Sequence, residues 1–341
     1  MFDLNKILRP NILALKPYSS ARDEFKGTAT AYLDANENPF GMFNRYPDPQ
    51  QKQLKKALSA LKGVPQENIF VGNGSDEAID LCYRIFCEPG QDSALTFSPT
   101  YGMYKVSADI NNVNLIELPL DKNFQIDVDK ALPLLDNKNL KLVFICSPNN
   151  PTGNSINAIE TILENFNGIV VVDEAYIDFS ASASLLEKLK LYPNLVVLQT
   201  FSKAWGLAAA RVGLAYANAE IISYFNKVKP PYNVSRLNYT VALAAVSQPE
   251  VFETQKNTLL AERDKMVRSL QKLKIVKKLY PSDANFLLVA VTDADGIYNA
   301  LVQRGIILRN RNTIVPGCLR ITIGSAEEND LLLIALNELS T

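Results

Sequence analysis

The sequence predicts an α/β fold: a large domain with a mostly parallel sheet between layers of helices, followed by a smaller α+β domain. Short, almost wholly apolar segments such as 140–146 and 168–173 have the composition of strands buried on both faces. Segments of helical length separate these strands, as expected where consecutive strands run parallel. After a long helical pattern that begins near residue 249, closely spaced strands predict the second domain.

Length and charge limit the kind of protein. The chain has 341 residues, which exceeds one ordinary hydrophobic core and is appropriate for two domains. Its 35 basic and 36 acidic residues give a net charge of −1, so neither nucleic acid nor an anionic membrane is an expected partner. No apolar segment reaches the roughly 18–20 residues of a membrane span, and residues 1–22 lack the apolar core of a signal peptide. We therefore expect a cytoplasmic protein.

The absence of one residue type narrows the chemistry. The sequence contains no histidine, which excludes Ser-His-Asp and Cys-His catalysis and any histidine general base. The four cysteines lie in apolar segments without a CxxC pair, so we expect buried, reduced thiols and no metal site. Any proton transfer must therefore use Lys, Asp, Glu, Tyr or Cys side chains.

The large domain is predicted over residues 31–247, preceded by an arm at 1–30 that packs on the small domain. Its first elements are a short strand at 31–41 and an amphipathic helix at 51–63. The strands of the sheet are predicted at 68–72, 93–97, 140–146, 168–173, 195–200 and 212–216.

The small domain is predicted over residues 248–341, and a long helix at 249–273 joins it to the large domain. Two helical patterns precede that helix, on either side of KPPYNVSR at 229–236. Strands are predicted in the segments KIVKKLY, NFLLVAV, IILRN and CLRITIG, and helices near 294–304 and 326–339.

A lysine directly after a buried strand is the first chemical signal. The strand at 195–200 leads into FSKAWGLAAAR, and an ammonium at such a position is costly without a partner. A desolvated lysine loses its proton readily and can form a Schiff base with a carbonyl, so Lys203 suggests covalent chemistry. Ser202 and Arg211 could bind a phosphate, which together points to pyridoxal 5'-phosphate. On this segment alone, a lysine that extends from the strand end into solvent explains the pattern equally well.

Three further side chains follow strand ends and fit the same cofactor. Asp173 ends an apolar strand, where a carboxylate needs a cation such as a pyridinium nitrogen. Tyr176 and Asn150 could donate to the phenolic oxygen of the ring. The alternatives are a capping or turn aspartate at 173 and ordinary turn chemistry in the segment SPNNPTG.

The segment GNGSDE at 72–77 opens a helix after a glycine turn, and the free N–H groups near Ser75 and Asp76 form a potential anion site. Its acids could instead serve only the helix dipole of a plainly capped helix. Tyr101 follows the strand at 93–97 and could stack on a cofactor ring or simply belong to the core. The segment lacks GxGxxG, which argues against a nicotinamide dehydrogenase.

Two arginines in the small domain, Arg309 and Arg320, lie beside predicted strands. Facing the same pocket, they would recognise a doubly charged group of a substrate, although either one alone could be an ordinary surface residue. In the large domain, six candidate side chains all fall just after predicted strands, a combination that chance explains poorly: Lys203, Asp173, Tyr176, Asn150, Ser202 and Arg211.

These segments resemble the fold-type-I pyridoxal-phosphate-dependent aminotransferases, and among them the histidinol-phosphate aminotransferase family. The likeness runs over nearly the whole chain, through PYSSAR, LDANENPFG, RYPD, GNGSDE, CEPG, PTYGMY, SPNNPTG, VVDEAY, FSKAWGLAAAR, GIILR and GCLRITIG. It implies a seven-stranded, mostly parallel sheet, and transamination of L-histidinol phosphate with 2-oxoglutarate to imidazole acetol phosphate and L-glutamate.

The resemblance also implies a role for each site residue. Lys203 would form the Schiff base and move the proton, Asp173 would pair with the ring nitrogen, and Tyr101 would stack on the ring. Tyr176 and Asn150 would hold the phenolic oxygen, and Asn150 would also contact the substrate. Ser202, Arg211 and the backbone near Ser75 and Asp76 would hold the cofactor phosphate. Tyr46 would reach the phosphate in the neighbouring subunit of a homodimer. The phosphate ester of the substrate would be held by Tyr18, Arg309 and Arg320.

Other functions remain open at this point. The nearest are an aminotransferase of aromatic amino acids and a decarboxylase of a phosphorylated amino acid, which share the cofactor chemistry. A non-enzymatic regulator on the same fold would be expected to carry a DNA-binding domain and a basic face, and the sequence shows neither.

Overall fold

A computed structural model describes residues 2–18, 25, 27 and 29–340. The helices of the first part of the chain are α1 (Leu4–Ile7), α2 (Pro10–Ala14), α3 (Lys52–Lys62), α4 (Ser75–Phe86), α5 (Met103–Ile110), α6 (Val128–Leu135) and α7 (Ile159–Asn165). Those of the second part are α8 (Ala219–Val228), α9 (Arg236–Val246), α10 (Pro249–Leu270), α11 (Ala294–Gln303) and α12 (Ala326–Glu338). None of these helices has the length and apolar character that crossing a membrane requires.

The large sheet has seven strands in the order β1-β7-β6-β5-β4-β2-β3. Their bounds are β1 (Ile69–Gly72), β2 (Ser93–Ser98), β3 (Asn114–Pro119), β4 (Leu140–Cys146), β5 (Ile169–Asp173), β6 (Leu195–Thr200) and β7 (Gly213–Ala217). The strand β7 runs antiparallel to the other six strands, which all run in one direction. The predicted mostly parallel sheet is therefore confirmed. Because β4, β5 and β6 run parallel, their carboxyl ends meet at one edge of the sheet.

Both faces of this sheet are covered, which explains why its central strands are apolar throughout. In β4, Val143 and Ile145 belong to one hydrophobic core, whereas Leu142 and Phe144 belong to the core on the opposite face. This division follows from the period of two along a strand.

The small domain contains an antiparallel sheet in the order β10-β11-β9-β8. The strands are β8 (Val276–Leu279), β9 (Phe286–Val291), β10 (Arg309–Asn310) and β11 (Cys318–Thr322). Its separate hydrophobic core includes Met266 and Leu270 of α10 and Leu332 of α12. The predicted small α+β domain is thus present, while the boundary at residue 248 stays a prediction.

The predicted docking of the N-terminal arm on the small domain is wrong for the described helices of that arm. Leu4, Leu8 and Ile12 are buried in the core that α4 and α8 form on the large sheet. Arg9 fixes the contact, since its backbone N–H donates to the Ile85 carbonyl at 3.1 Å. The apolar side of α1 and α2 meets the nearest open apolar surface, which belongs to the large domain.

Two element predictions differ from the structure in the large domain. Residues 31–41 form no strand and run as an irregular segment, since their Asn and Pro residues favour turns. The strand β3 was not predicted, because its residues are exposed or half-buried at the sheet edge and lack a continuous apolar run. It completes the seven strands.

Candidate active site

One cavity of about 570 Å³ lies at the carboxyl ends of β4, β5 and β6, between the large sheet and the small domain. All the predicted site residues line it except Tyr18 and Tyr46. They are Ser75, Asp76, Tyr101, Asn150, Asp173, Tyr176, Ser202, Lys203, Arg211, Arg309 and Arg320. Residues up to 245 positions apart in sequence therefore share one space (320 − 75).

Asp173 ends β5 and is only 2% exposed. The Tyr104 hydroxyl donates to its Oδ2 at 2.9 Å, and the Ala175 backbone N–H donates to its Oδ1 at 3.0 Å. Burial raises the pKa of Asp173 to about 6, although these two hydrogen bonds act in the opposite direction. No Lys or Arg nitrogen among the described residues lies within ion-pair distance of this carboxylate. The site therefore holds a buried acid that still needs a cation.

Lys203 lies three residues beyond β6, and its Nζ is 5.5 Å from the centre of the Tyr176 ring. Burial lowers the pKa of Lys203, and the charges of Arg320 and Arg211 lower it further. Asp173 opposes this shift only in part. A lysine in this setting releases its proton more easily than one in water, which is the property required of an amine nucleophile.

A glycine turn leads from β1 into α4 and brings Arg211 against the helix N-terminus. Gly74, at φ +80°, is the residue before α4, and a Cβ there would lie 2.6 Å from Arg211 Nη2. Gly213 is packed as closely, since a Cβ would lie 2.1 Å from the Ser75 nitrogen. The free N–H groups of the first turn and the guanidinium thus face one small space, which is an arrangement suited to a phosphate. Ser75 is the first helical residue, and Gly74 occupies the cap position before it.

The acids of α4 do not oppose an anion in this space, because other groups engage both. Asp76 accepts hydrogen bonds from the Tyr101 hydroxyl at 3.0 Å and from Arg211 Nη2 at 3.3 Å. Glu77 accepts from the backbone N–H of Asn73 and from Asn233 Nδ2. The hydrogen bond to Asp76 fixes the hydroxyl end of Tyr101, and the Tyr101 side chain lines the cavity.

Ser202 and Thr200 form the remaining part of this wall. The Thr200 hydroxyl accepts from the Ser202 backbone N–H at 3.1 Å and lies 3.0 Å from the Ser202 hydroxyl oxygen. The pair holds the turn between β6 and Lys203 in a fixed conformation.

The small domain supplies the opposite wall. Arg309 in β10 and Arg320 in β11 are directly paired across the two strands. Arg320 Nη1 donates to Asn150 Oδ1 at 2.5 Å, and its guanidinium lies 5.1 Å from the centre of the Phe286 ring. Like charges opposite each other in a sheet are unfavourable, which implies a functional reason for this pair.

The sequence did not reveal two residues that the structure places in the site. Tyr104, fully buried, holds Asp173, but its motif PTYGMY gave no sign of a contact 69 positions away. Arg311 lines the cavity beside Arg309 and Arg320. The alternation Arg-Asn-Arg-Asn at 309–312 was a signal, but it could be used only once residue 309 was known to be in an extended strand.

Tyr18 and Tyr46 do not reach the cavity within a single chain. Tyr18 is 71% exposed. Tyr46 is 51% exposed and stacks on Tyr232, with ring centres 4.4 Å apart. Of the motif PYSSAR that carries Tyr18, residues 19–22 lie outside the described part of the chain.

The chain is similar in sequence to proteins of a known family. A family model described as aminotransferase class I and II matches residues 17–336. A curated histidinol-phosphate aminotransferase from Parabacteroides distasonis is 53% identical over 344 residues, covering 99% of this chain and 99% of that protein.

Two solved structures are similar in fold. The crystal structure of the histidinol-phosphate aminotransferase from Clostridium acetobutylicum has a TM-score of 0.79 at 23% identity and covers 90% of this chain and 98% of that one. That of the histidinol-phosphate aminotransferase from Sinorhizobium meliloti, in complex with pyridoxal-5'-phosphate, has a TM-score of 0.77 at 25% identity and covers 89% of both chains.

Proposed function

This chain belongs to the aminotransferase class I and II family, and we propose that it transfers the amino group of L-histidinol phosphate to 2-oxoglutarate. The products are imidazole acetol phosphate and L-glutamate, and the step belongs to histidine biosynthesis. One observation carries the proposal beyond the family. A single cavity has a desolvated lysine and a buried aspartate on one wall and facing arginines on the other. The first pair serves amine chemistry, and the second serves an anionic substrate.

Pyridoxal 5'-phosphate is the cofactor, and the residues present fit it. Asp173 is a buried carboxylate without a cation among its described neighbours, which a protonated ring nitrogen would supply. The N-terminus of α4, with Ser202 and Arg211, offers N–H, hydroxyl and guanidinium donors to a phosphate. When bound, this cofactor supplies an aldehyde that reacts with amines and a ring that accepts electrons from the substrate carbon.

Lys203 is the residue that binds the cofactor covalently and moves the proton. Burial lowers the pKa of its Nζ, so Lys203 gives up its proton more readily than an exposed lysine does. As a free amine, Nζ would take the proton from the substrate carbon that bears nitrogen and would deliver it to the cofactor carbon that carries the aldehyde. Asp173 would keep a proton on the ring nitrogen, and the Tyr104 hydroxyl holds that carboxylate in place.

Three side chains orient the ring in this proposal. Tyr176 and Asn150 line the cavity and would donate to the phenolic oxygen of the bound cofactor. Tyr101 would pack against the cofactor ring, with its hydroxyl bonded to Asp76. Asn150 also accepts from Arg320, so the cofactor side and the substrate side are linked through one amide.

Arg309 and Arg320 bind the phosphate ester of the substrate, and the same guanidinium groups serve the carboxylates of 2-oxoglutarate and L-glutamate. Tyr18 is a further proposed contact of the phosphate ester, although it is exposed and does not line the cavity of a single chain. Since both half-reactions use one site, the donor product leaves before the acceptor binds, and ping-pong kinetics are expected.

We also propose a cytoplasmic homodimer in which Tyr46 reaches the cofactor phosphate of the partner subunit. The segment that carries Tyr46 exposes large apolar side chains, among them Leu33 at 94%, Phe40 at 80% and Met42 at 84%. A symmetric contact would bury them. Sedimentation should show a dimer, and Tyr46→Phe should weaken pyridoxal phosphate binding although Tyr46 is outside its own cavity. A monomer with unchanged cofactor affinity in the variant would contradict this part.

The substrate is tested by comparing amino donors with the purified, cofactor-saturated protein. We expect L-histidinol phosphate to be turned over with a kcat/KM well above that of L-phenylalanine, and L-threonine O-3-phosphate to release no carbon dioxide. These two competitors represent the aromatic aminotransferase and the phospho-amino-acid decarboxylase. Absence of amino transfer from L-histidinol phosphate would end the substrate proposal.

A further inference from the structure

We propose that Arg311 is a third guanidinium for the phosphate of the substrate, and that it selects a phosphate dianion over a carboxylate in the same place. This rests on the proposed function for the identity of the substrate. Arg311 lines the cavity with Arg309 and Arg320 but lies in no strand.

The backbone alternation from 309 to 312 directs the side chains. Arg309 and Arg311 line the cavity, whereas Asn310 and Asn312 face the other way. Asn310 Nδ2 donates to Asp295 Oδ1 at 2.6 Å, and Asn312 Nδ2 donates to Asp295 Oδ2 at 2.7 Å. One carboxylate at the start of α11 thus clamps the residues on both sides of Arg311.

The backbone of Arg311 is also held. Its N–H donates to the Cys318 carbonyl at 3.0 Å, and its carbonyl accepts from Val315 at 2.7 Å. The Asn312 Oδ1 accepts from the Gly317 N–H at 2.7 Å, which closes the loop. The side chain therefore extends from a fixed base, which reduces the ordering cost of binding.

Among the residues that the structure describes, the three guanidinium groups have no carboxylate at ion-pair distance. In the described part of the chain, no carboxylate lies within 4.0 Å of Arg309, Arg311 or Arg320. The Nε atoms of Arg311 and Arg320 are buried without a hydrogen-bond partner. Unpaired buried donors are unfavourable, and an incoming anion would satisfy them.

The number of donors matches a phosphate better than a carboxylate. A carboxylate has two oxygens and one charge, and one planar guanidinium can bind it in a bidentate manner. A phosphate monoester has three terminal oxygens and nearly two charges at neutral pH, so it can use two or three guanidinium groups. Arg309 and Arg320 already supply the donors that a carboxylate can use, and Arg311 adds a contact that only the phosphate can use fully.

Arg311→Gln in the cofactor-saturated enzyme tests the inference. We expect kcat/KM for L-histidinol phosphate to fall about 10- to 100-fold, the loss of one charged hydrogen-bonding group. Single-turnover rates with L-glutamate, and turnover of L-histidinol without its phosphate, should change less than about threefold. Arg311→Lys, which keeps the charge but not the fork, should lie between the variant and the wild type.

Two controls separate a local contact from general electrostatics. Lys277→Gln removes the same charge from an exposed site on β8. It should change neither kcat/KM for L-histidinol phosphate nor the single-turnover rate with L-glutamate. Asp295→Ala removes a negative charge, which alone would strengthen anion binding, but it also opens the clamp. Weaker phosphate binding in that variant supports the clamp, and stronger binding contradicts it.

Binding of inorganic phosphate to the holoenzyme, measured by calorimetry, does not depend on the identity of the substrate. We expect Arg311→Gln to weaken it by a similar factor. If the wild type fails to use L-histidinol phosphate, the proposed function fails, while this titration still decides the role of Arg311. Equal losses for L-glutamate and L-histidinol phosphate, or no change in phosphate affinity, would overturn the assignment.

Discussion

The two walls of the cavity differ in how their polar groups are satisfied. On the large-domain wall, Asp173 and Asp76 each accept two hydrogen bonds from fixed neighbours. On the small-domain wall, Arg309, Arg311 and Arg320 gather three positive charges, and two of them have a buried nitrogen without a partner.

We interpret this difference as that between a wall that holds a permanently bound cofactor and a wall that binds and releases substrate. The large-domain wall is organised before binding, with a buried carboxylate at Asp173 that calls for a cation and a donor-lined space at the start of α4 that suits a phosphate. The small-domain wall keeps an electrostatic cost that any anionic substrate relieves and that returns when the product leaves. Substitutions on the large-domain wall should therefore affect cofactor binding and kcat. Substitutions on the small-domain wall should affect the affinity for the substrate.

Among substitutions on the large-domain wall, Lys203→Ala should cause the largest loss of kcat. Loss of the amine that binds the cofactor and moves the proton should lower kcat by more than about 10³-fold. The absorbance band of the Schiff base between the cofactor and the lysine should be lost as well. Lys203→Arg is the matched control, because it keeps a positive charge but cannot act as the nucleophile, and it should be as inactive. Substantial activity in either variant would contradict the role of Lys203.

Asp173→Asn should have opposite effects on activity and on the stability of the cofactor-free protein. Removing one partner of a buried ion pair should lower kcat/KM about 10²- to 10³-fold. Without cofactor, the folded-state pKa of Asp173, about 6, lies above the reference value of 3.8, so the folded protein holds a proton that the unfolded chain has lost. The free energy of unfolding therefore falls as pH rises between these values, by about 1–3 kcal/mol.

Denaturant unfolding of the two cofactor-free proteins at several pH values checks this sign. Relative to the wild type, Asp173→Asn should become more stable as pH rises from about 4 to about 6, because the amide does not ionise, and the difference should level off above that range. A stability difference that is independent of pH would show that the buried carboxylate is already compensated.

Arg320→Ala on the small-domain wall should weaken substrate binding far more than cofactor binding. We expect KM for L-histidinol phosphate to rise about 100-fold, since a charged and partly buried contact is removed. The dissociation constant of pyridoxal phosphate, measured by fluorescence or absorbance titration, should change less than about threefold. Equal losses for substrate and cofactor would remove the distinction between the two walls.

The smallest expected effect is that of Tyr104→Phe, which removes the hydroxyl donor to Asp173. We expect kcat/KM to fall about tenfold. Because that hydrogen bond lowers the pKa of Asp173, its loss should also move the acidic limb of the pH–rate profile to higher pH. Tyr83→Phe is a matched control, since Tyr83 is equally buried but donates to the Tyr104 carbonyl. A shift in the control as large as in the variant would contradict the role of Tyr104.

The sequence was sufficient where position along a strand determined position in space. Asn150, Asp173 and Lys203 each follow a parallel strand, and such ends meet at one edge of a sheet. The same reasoning could not find Tyr104, because a helical tyrosine is defined by what it faces after folding.

The wall of the small domain was harder to predict for a related reason. Arg309 and Arg320 were recognised by resemblance, but Arg311 depends on the extended backbone and on the bonds of its neighbours to Asp295. The N-terminal arm was misplaced because its apolar stripe could cover either domain, and only the folded surface shows where α4 and α8 leave room. Tyr46 lies away from the cavity, and its predicted role requires a second chain.

The most direct test of the central claim is to identify the residue to which pyridoxal phosphate becomes attached. The protein would be saturated with the cofactor, reduced with borohydride, digested and analysed by mass spectrometry. We expect a single pyridoxyl-modified peptide that contains Lys203, and none when L-histidinol phosphate is added before reduction. Modification of another lysine, or a protein that remains colourless and unlabelled with the cofactor in excess, would contradict the account.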